Sequence, residues 1–380
     1  MKIIGLISGT SVDGIDAALV DVTGHGYDIQ LKLLAAHTAE YPEELRDRIL
    51  AVCGGAPLSM ADVAQMDDEI AIAFAEAARQ LGKADLIASH GQTVYHRPPT
   101  IKQIGYSWQL GRGELIAAQT QTPTISNFRD ADIAAGGHGA PLVSPVDASL
   151  LSHSERYRCV QNIGGIGNLT YLPPWDKTGV PPKAIVGWDT GPGNALMDWA
   201  VSEFSDGQLT YDHNGSWAAK GTPCQPLINQ WRNQPYFQQP PPKSTGRELF
   251  SADYGQRCWQ EAQVLGLNQT DFLATLTAFT AATIVDSYQQ LPHQPDEVLL
   301  CGGGGKNEYL RSQLQVRLPE TTLISTDEVG LNSSFKEAIA FAILGYWRWH
   351  RHPGNLITVT GARHNCLLGH INGVEASPNN

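Results

Sequence analysis

The carboxylate Asp189 lies in the segment of the sequence that is most informative about catalysis. Residues 187–194, Gly-Trp-Asp-Thr-Gly-Pro-Gly-Asn, carry Asp189 from an apolar strand into a glycine turn that opens a helix. A carboxylate that faces free N–H groups there has three open interpretations: a general base, a holder of Mg²⁺ beside phosphates, or a cap of the following helix. Asp and Asn are common at helix starts, so this segment alone does not decide among the three.

Two glycine-rich turns are candidates for phosphate binding. Residues 8–14 read Ser-Gly-Thr-Ser-Val-Asp-Gly, and residues 162–168 read Asn-Ile-Gly-Gly-Ile-Gly-Asn. Glycines let the backbone approach a ligand closely, and hydroxyl and amide groups bind phosphate oxygens. Either turn alone is equally typical of an ordinary hairpin. Their occurrence in both halves of the chain favours a phosphate clamp to which each half contributes.

A third glycine cluster, residues 301–307, reads Cys-Gly-Gly-Gly-Gly-Lys-Asn and lies between an apolar strand and a helix. Nucleotide contact and a tight structural turn both remain open for it. It is not a P-loop, because Leu300 and Asn307 replace the Gly and the Ser or Thr of that motif. Leu196 likewise stands where a dinucleotide-binding fingerprint requires its third glycine.

Polar side chains that suit a substrate occur in two histidine-containing segments, residues 89–98 and 136–141. Neither has the spacing of a zinc peptidase or of a serine nucleophile elbow. We therefore expect polar substrate contacts rather than metal ligation, although a structural role stays open for each histidine. Residues 243–248, Lys-Ser-Thr-Gly-Arg-Glu, either offer cations to an anionic substrate or form a solvated loop.

The elements that must position these residues alternate between strands and helices. Residues 3–22 predict a hairpin, and residues 159–172 repeat its pattern, which suggests a duplicated chain. Apolar periodicity predicts helices at 60–81, 194–204, 271–288 with Thr270 as N-cap, and 309–318. A capping box from Ser334 to Glu337 predicts another helix, through about Trp349. The proline-rich residues 234–243 predict an exposed loop or hinge. Mixed α/β architecture follows.

Composition limits what such a chain does. Its 380 residues are 42% hydrophobic, which favours two domains, and its formal charge of −12 opposes binding to nucleic acid or to an anionic membrane surface. No apolar run approaches the roughly 20 residues that cross a bilayer. Six scattered cysteines without a C-x-x-C pair predict reduced thiols and a cytoplasmic location.

The whole chain resembles the anhydro-N-acetylmuramic acid kinases, a family of actin-like, hexokinase-like ATPases. The resemblance is carried by motifs spread over nearly the full length. They are Ser-Gly-Thr-Ser-Val-Asp-Gly-Ile-Asp at 8–16, Ser-His-Gly-Gln-Thr at 89–93, Ala-Gly-Gly-His-Gly-Ala-Pro-Leu at 135–142, Asn-Ile-Gly-Gly at 162–165, Asp-Thr-Gly-Pro-Gly-Asn at 189–194, Pro-Pro-Lys-Ser-Thr-Gly-Arg-Glu at 241–248, Cys-Gly-Gly-Gly at 301–304 and Pro-Gly-Asn-Leu at 353–356.

The resemblance implies an α/β fold of two actin-like (ribonuclease H-like) domains with a nucleotide cleft between them. We expect the first domain at 1–150 plus 355–380 and the second at 151–354. The implied reaction uses ATP and Mg²⁺ to open 1,6-anhydro-N-acetylmuramic acid with water and phosphorylate its 6-oxygen, giving N-acetylmuramic acid 6-phosphate in cell-wall sugar recycling. The implied partner is a small sugar, and a homodimer is compatible with the sequence.

The resemblance also assigns roles by residue, with Asp189 as catalytic base and no protein ligand of Mg²⁺ named. The expected ATP-binding residues are Gly9, Thr10, Ser11, Val12, Asp13, Gly14, Ile15, Asp16, Asn162, Gly164, Gly165, Gly302, Gly303 and Gly304. The expected substrate-binding residues are His90, Gln92, Gly137, His138, Gly139 and Glu337.

The sequence departs from the family pattern at Asn127 and Ser334, where Asp is usual, at His138, where Gln is usual, and at 144–145, where Ser-Pro disturbs the usual Val-Pro. Asn127 and His138 bear on the sugar contacts. A kinase for another sugar and a non-catalytic ATP-gated sugar sensor therefore remain open alternatives.

Overall fold

A computed structural model describes residues 1–9, 11–100, 102–241, 243–246 and 249–373. Thr10, expected to bind ATP, lies outside the described residues, as do Pro242, Arg247 and Glu248 and the predicted end of the first domain at 374–380. The architecture is mixed α/β with two sheets, as predicted.

The helices and strands follow one another in a mixed order. The described strands are β1 Lys2–Ser8, β2 Ile15–His25, β3 Asp28–Ala39, β4 Leu86–Arg97, β5 Tyr106–Leu110, β6 Thr124–Ser126, β7 Arg158–Ile163, β8 Gly167–Leu172, β9 Val186–Gly191, β10 Glu297–Cys301, β11 Thr322–Ser325 and β12 His370–Asn372. The described helices are α1 Glu43–Cys53, α2 Met60–Gln80, α3 Gly113–Thr120, α4 Asp130–Ala134, α5 Ser144–Leu151, α6 Ala195–Phe204, α7 Gln225–Arg232, α8 Pro235–Gln238, α9 Ala252–Val264, α10 Gln269–Tyr288, α11 Glu308–Arg317, α12 Lys336–Trp349 and α13 Ile357–Thr360.

The two sheets share one strand order. The first runs β12-β6-β4-β1-β2-β3, with β5 paired to β4, and the second runs β11-β10-β7-β8-β9. In each, the first three strands form an antiparallel meander, and the fourth adds in parallel on the other side of the first. This is the order of a ribonuclease H-like domain, and its repetition supports the duplication that the two glycine hairpins suggest.

The chain divides into two compact units. Unit 1 comprises Met1–Leu150, Lys177–Gly179 and the chain from Phe335 onward, and unit 2 comprises Leu151–Asp176 and Val180–Ser334. We predicted a return to the first domain at residue 355, but the return lies at Phe335. The reason is that α12 packs on β1, β2 and β4 of unit 1.

Close approach of α12 to the first sheet depends on glycine. A Cβ on Gly5 of β1 would collide with the backbone of Ala338, and one on Gly345 would meet the Cβ of Ala88 at 2.5 Å. A glycine on the strand and another on the helix thus remove the side chains that would hold the two elements apart. Most of the α12 side chains are buried as a result.

Two predicted helix starts are wrong, because the sequence pattern did not show which side chain caps each helix. The cap of α10 is Asn268, whose side chain accepts the N–H of Asp271, and not Thr270. The start of α12 has no capping box, because Phe335 is its N-cap residue and the Ser334 hydroxyl accepts the Lys306 ammonium at 2.8 Å. By contrast, α2 begins at Met60 as predicted, with a capping box between Ser59 and Asp62.

The proline-rich segment is also not simply an exposed loop. It contains the short helix α8, and both Tyr236 and Lys243 are buried. The six cysteines, all within the described residues, form no disulfide. Among the described residues, no helix is both long and apolar enough to span a membrane.

The buried ion pair between Lys336 and Asp147 generates a stability prediction. The ammonium lies 2.7 Å from the carboxylate, and the two side chains are 4% and 2% exposed. Lys336→Met removes the cation and leaves a buried carboxylate without it, so we expect a loss of about 3–5 kcal/mol in the free energy of unfolding, measured by urea titration.

Two further variants test the cause of that loss. Lys32→Met removes an exposed cation of the same unit and should cost about 0.5 kcal/mol or less. The double variant Lys336→Met/Asp147→Leu should recover most of the lost stability, because an apolar pair replaces both charges. A Lys336→Met protein as stable as the Lys32→Met protein would contradict the prediction.

Candidate active site

Asp189 lies inside the edge strand β9 and is held from several directions. Its Oδ2 accepts the N–H of Thr245 at 2.9 Å, and its own N–H donates to the carbonyl of Lys243 at 3.2 Å. Its carbonyl accepts the Tyr236 hydroxyl at 2.7 Å. The helix-cap interpretation is wrong, because α6 begins only at Ala195 and Asn194, its N-cap residue, makes no side-chain cap bond.

The glycine turn after β7 is fastened to the start of α6. Asn194 and Ala195 donate their N–H groups to the carbonyls of Gly164 and Gly165 at 2.8 and 3.1 Å. A Cβ on Gly164 would meet nothing closer than the Ile166 carbonyl oxygen at 3.7 Å. Packing within the described structure therefore does not require glycine at residue 164, and the close approach of a ligand is an alternative reason for it.

The glycines after β10 divide into two kinds. Gly302 has φ +77°, and a Cβ there would lie 2.5 Å from Asn162 Oδ1, while a Cβ on Gly304 would collide with Ile163. These two are explained by packing between β10 and β7. Gly303 is different, because its nearest neighbour would be Asn194 Nδ2 at 3.8 Å.

Strand pairing brings these parts of unit 2 to one edge of the sheet. Asn162 pairs with Cys301 across the parallel strands β7 and β10. Strand β8 is antiparallel to both β7 and β9, so β9 runs in the same direction as β7. The carboxyl ends of all three strands therefore share an edge, which is where open α/β sheets bind ligands. Asp189 and the turns at 162–165 and 302–304 lie there together.

The corresponding turn of unit 1, after β1, is held by Gln92. This side chain is fully buried, donates to the carbonyl of Gly9 at 3.3 Å and accepts the Tyr41 hydroxyl at 3.2 Å. Val12 has φ +55°, donates its N–H to Gly9 and accepts Arg46 Nε at 2.9 Å. The sugar contact expected of Gln92 stays a prediction, and its described bonds suit a role in holding the turn.

The other turn residues expected to bind ATP fall into different environments. A Cβ on Gly9 would find only Ser11 Oγ, at 3.9 Å. Asp13 is exposed and pairs with Arg46 at 3.6 Å, whereas Ile15 is buried at the start of β2. Asp16 accepts the Thr38 hydroxyl at 2.6 Å, and burial raises its pKa although that hydrogen bond lowers it. Gly14 approaches Thr38 and Ala39 closely.

His90 orients an arginine that the sequence patterns did not single out. Its Nε2 accepts Arg129 Nε at 3.1 Å, and Arg129 Nη1 donates to the Gly139 carbonyl at 3.1 Å. His90 Nδ1 lies 3.0 Å from the Gly91 carbonyl, so the ring is neutral with its proton on Nδ1. Burial lowers its pKa well below the usual range, and the Arg129 charge lowers it further.

The loop at 136–141 is built around the buried carboxylate of Asp132. This group accepts the N–H of Gly139 at 2.9 Å, Asn355 Nδ2 at 2.8 Å and the Thr360 hydroxyl at 2.7 Å. A Cβ on Gly137 would collide with the same carboxylate. Packing thus explains Gly137.

His138 lies on this loop and is half-buried, and its backbone N–H donates to the Thr360 carbonyl at 2.8 Å. Burial lowers the pKa of His138, although the Asp132 carboxylate opposes the shift. The loop therefore presents an imidazole that favours its neutral form.

Glu337 lies in the first turn of α12. The pKa of Glu337 is raised, and burial is the largest cause. The Asp16 charge also raises it, while the charges of Lys336 and Arg129 lower it. Unit 1 thus brings Asp16, Arg129 and Glu337 within electrostatic range of one another. No group of three or more His, Cys, Asp or Glu side chains within the described ranges is arranged to hold a metal ion.

Comparison with known proteins identifies the family. The model of the anhydro-N-acetylmuramic acid kinases matches residues 1–373. The chain is 60% identical over 377 residues to the anhydro-N-acetylmuramic acid kinase of Acaryochloris marina, with 98% of this chain and 99% of the relative covered. The corresponding protein of a Synechocystis species is 59% identical, with 98% of each chain covered. The chain belongs to the anhydro-N-acetylmuramic acid kinase family.

Two solved structures to which the chain is similar are far more distant from it than these relatives. A ROK-family glucokinase from Streptomyces griseus shares 11% identity at a TM-score of 0.43, over 91% of this chain and 99% of that chain. An activator of 2-hydroxyisocaproyl-CoA dehydratase from Clostridium difficile has the same identity and TM-score, over 92% and 96%.

Four residues around these sites escaped our sequence assignment. Arg129 and Asp132 follow Asn127 closely, but their partners come from distant segments and leave no spacing signal. Tyr236 lies in the segment interpreted as a loop, and Lys243 lay in a motif whose role stayed open. The specific motif at 241–248 was the one available signal for Lys243.

The hydrogen bonds of His90 predict its protonation state. In ¹⁵N-resolved imidazole spectra, the His90 ring should keep one proton, on Nδ1, from pH 8 to pH 5, because burial and Arg129 disfavour the charged form. The resonance is assigned by comparison with His90→Gln. In urea the same ring should titrate at about 6.5. A second ring proton above pH 5 in the folded protein, or a proton on Nε2 alone, would contradict the assignment.

Proposed function

We propose that this protein is an ATP-dependent kinase that opens 1,6-anhydro-N-acetylmuramic acid with water and phosphorylates the sugar on its 6-oxygen. The observation that supports this most is the carboxylate of Asp189, fixed by the Thr245 N–H at the edge of the second sheet where two glycine turns meet. Identity of 60% to a relative named for this activity supports the substrate.

The chemistry of the substrate explains why a base is needed. In the anhydro sugar the 6-oxygen is bonded to the anomeric carbon and carries no proton, so a base has no hydroxyl to activate. Asp189 takes a proton from a water that attacks the anomeric carbon, and the bond between that carbon and the 6-oxygen breaks. The 6-oxygen then accepts the γ-phosphoryl group of ATP, which leaves ADP and N-acetylmuramic acid 6-phosphate.

The phosphates of ATP bind to backbone rather than to a positive surface. The chain has a formal charge of −12, so an anionic ligand needs local N–H donors. Gly9, Gly164 and Gly303 have open space where a side chain would stand, which suits close approach of phosphate oxygens. The nucleotide cleft itself stays a prediction.

Mg²⁺ fits this arrangement as an ion brought by ATP. It usually keeps several waters and takes one or two carboxylates together with substrate phosphates, so a dedicated cluster of protein ligands is not required. Asp16 would hold it, since burial of that carboxylate is costly and a cation offsets the cost. When bound, Mg²⁺ neutralises charge on the phosphates.

The sugar is contacted from unit 1. Arg129, oriented by His90 and by the Gly139 carbonyl, presents a fixed guanidinium beside the loop that carries His138. Glu337 accepts a sugar hydroxyl. The cytoplasmic location, the exclusion of nucleic acid and the homodimer stay predictions.

The base is tested by Asp189→Asn, which keeps the shape of the side chain and removes its basicity. General base assistance is typically worth about 10² to 10⁴ in rate, so kcat should fall at least that far while both ligands still bind. A fully active variant would overturn the assignment.

The substrate is tested with wild-type protein in ¹⁸O water, where the label should appear at the anomeric hydroxyl of the product. Label in released inorganic phosphate would indicate simple ATP hydrolysis.

The phosphate turn of unit 1 is tested by Gly9→Ala and Gly9→Val. A Cβ at this position clears the described neighbours, so Gly9→Ala should leave the melting temperature unchanged and Gly9→Val should retain the fold. The Kd for ATP, measured by calorimetry, should rise from Gly to Ala to Val because the side chain obstructs the phosphates. The Kd for the sugar should stay constant. Equal weakening of both ligands would count against this role for the turn.

A further inference from the structure

The free edge of β9 is covered at Asp189 by residues 243–246, which we call the clamp segment. β9 is the last strand of its sheet and pairs only with β8 in the described structure. The clamp segment meets Asp189 twice, because its Lys243 carbonyl accepts the Asp189 N–H and its Thr245 N–H donates to Asp189 Oδ2. The orientation of the carboxylate therefore depends on where this segment lies.

The clamp segment has no helix or strand of its own, and its anchor is the Lys243 side chain. That side chain is 6% exposed, and its ammonium donates to the carbonyls of Tyr236 and Phe237 at 3.4 Å each. It also lies over the Tyr236 ring, 5.1 Å from the centroid. Carbonyls at the end of a short helix lack helical partners, and a lysine ammonium is a suitable donor to them.

Tyr236 joins this anchor to the same aspartate. Its hydroxyl donates to the Asp189 carbonyl at 2.7 Å, while its ring and its own carbonyl contact the Lys243 ammonium. Phe237, the other carbonyl partner, packs against Phe250 and Phe279 in the core of unit 2. The anchor is therefore packed against β9 at one end and against the core of unit 2 at the other.

We propose that Lys243 is a positioning residue, whose buried ammonium fixes the clamp segment on α8 and thereby orients the Asp189 carboxylate. This rests on the proposed function of Asp189 as the base. For Lys243 this is a third role beside the two that the sequence left open for residues 243–248, contact with an anionic substrate and a solvated loop. An ammonium has three N–H donors, and here two carbonyls and an aromatic face receive them.

Titratable side chains of neighbouring elements also act on this arrangement. Tyr236 approaches from α8, and Asp286 of α10 acts on Lys243 while paired with Arg232 of α7. Burial lowers the pKa of Lys243, and the charge of Asp286 raises it. Asn168, which pairs with Asp189 from β8, does not titrate.

The test compares Lys243→Met with Lys220→Met, which removes an exposed cation of the same unit. Misplacement of a catalytic group by about 1 Å can cost about 10²-fold in rate, so Lys243→Met should lose about that much in kcat. The KM values for ATP and for the sugar should stay within about twofold, because the ammonium contacts neither. Lys220→Met should behave as wild type. A larger rise in either KM than the fall in kcat would mean that Lys243 binds a ligand directly.

The pH profile separates positioning from general damage. A hydrogen bond donated to a carboxylate favours its charged form, and the variant weakens the bond from Thr245. The acid limb of the kcat profile should therefore move to higher pH in Lys243→Met, by about one unit. An unmoved limb together with a lower kcat would indicate only structural damage and overturn the proposal.

The Asp189→Asn background distinguishes failure of this proposal from failure of the proposed function. If Asp189 is the base, its acid limb disappears in Asp189→Asn, and adding Lys243→Met lowers the residual kcat no further. A limb that persists in Asp189→Asn refutes the base itself. A limb that disappears there but is unchanged in Lys243→Met refutes the positioning role alone.

A rescue experiment keeps the test sharp if Lys243→Met folds poorly. Lys243→Gly assayed with added n-butylammonium restores the cation without the covalent link, and kcat should recover in a saturable manner. Tetramethylammonium, which has no N–H donor, should not restore it. Circular dichroism of each variant checks the fold, and equal effects of the two cations would contradict a role through the carbonyls of Tyr236 and Phe237.

Discussion

Within each unit, the placement of the candidate site residues depends on one pairing, the parallel alignment of the first and fourth strands. In unit 1, Ser8 of β1 lies beside Gln92 of β4, and in unit 2, Asn162 of β7 lies beside Cys301 of β10. The turn after the first strand therefore meets the fourth strand in each unit, in the middle of β4 in unit 1 and at the end of β10 in unit 2. Gln92 holds the Gly9 turn by a side-chain hydrogen bond, while Gly302 fits against Asn162 by having no side chain.

Predictions succeeded where the determining interactions are local. The two opening hairpins follow from apolar strands around glycine turns, and α2 follows from its periodicity and from the box between Ser59 and Asp62. Predictions failed where a distant partner intervened. Ser334 has the sequence of a cap, but its hydroxyl accepts Lys306, and Asp189 stays in its strand, where Thr245 holds it.

The same distinction explains how much of the site the sequence revealed. Residue types were informative, since His90 and Gln92 hold neighbouring candidate residues: His90 accepts a hydrogen bond from Arg129, and Gln92 donates one to the carbonyl of Gly9. The substrate contacts expected of both stay predictions. The hydrogen-bond partner of each side chain depends on which residues the fold brings next to it, and the sequence pattern does not show that. Lys243 is the clearest case, because its exposed-loop interpretation follows from composition and its burial follows from tertiary packing.

The hydrogen bonds of Asp132 bear on the order in which the two units can finish folding during synthesis. Asn355 and Thr360, which satisfy this buried carboxylate, and β12, which pairs with β6, are synthesised after the whole of unit 2. Strands β1–β6 of unit 1 precede unit 2 in the chain, but Asp132, around which the loop at 136–141 is built, gains these two partners only when Asn355 and Thr360 emerge. Unit 2 is contiguous between residues 180 and 334, so it completes its core first. During synthesis, the first sheet therefore stays incomplete after the residues of the second sheet have all been made.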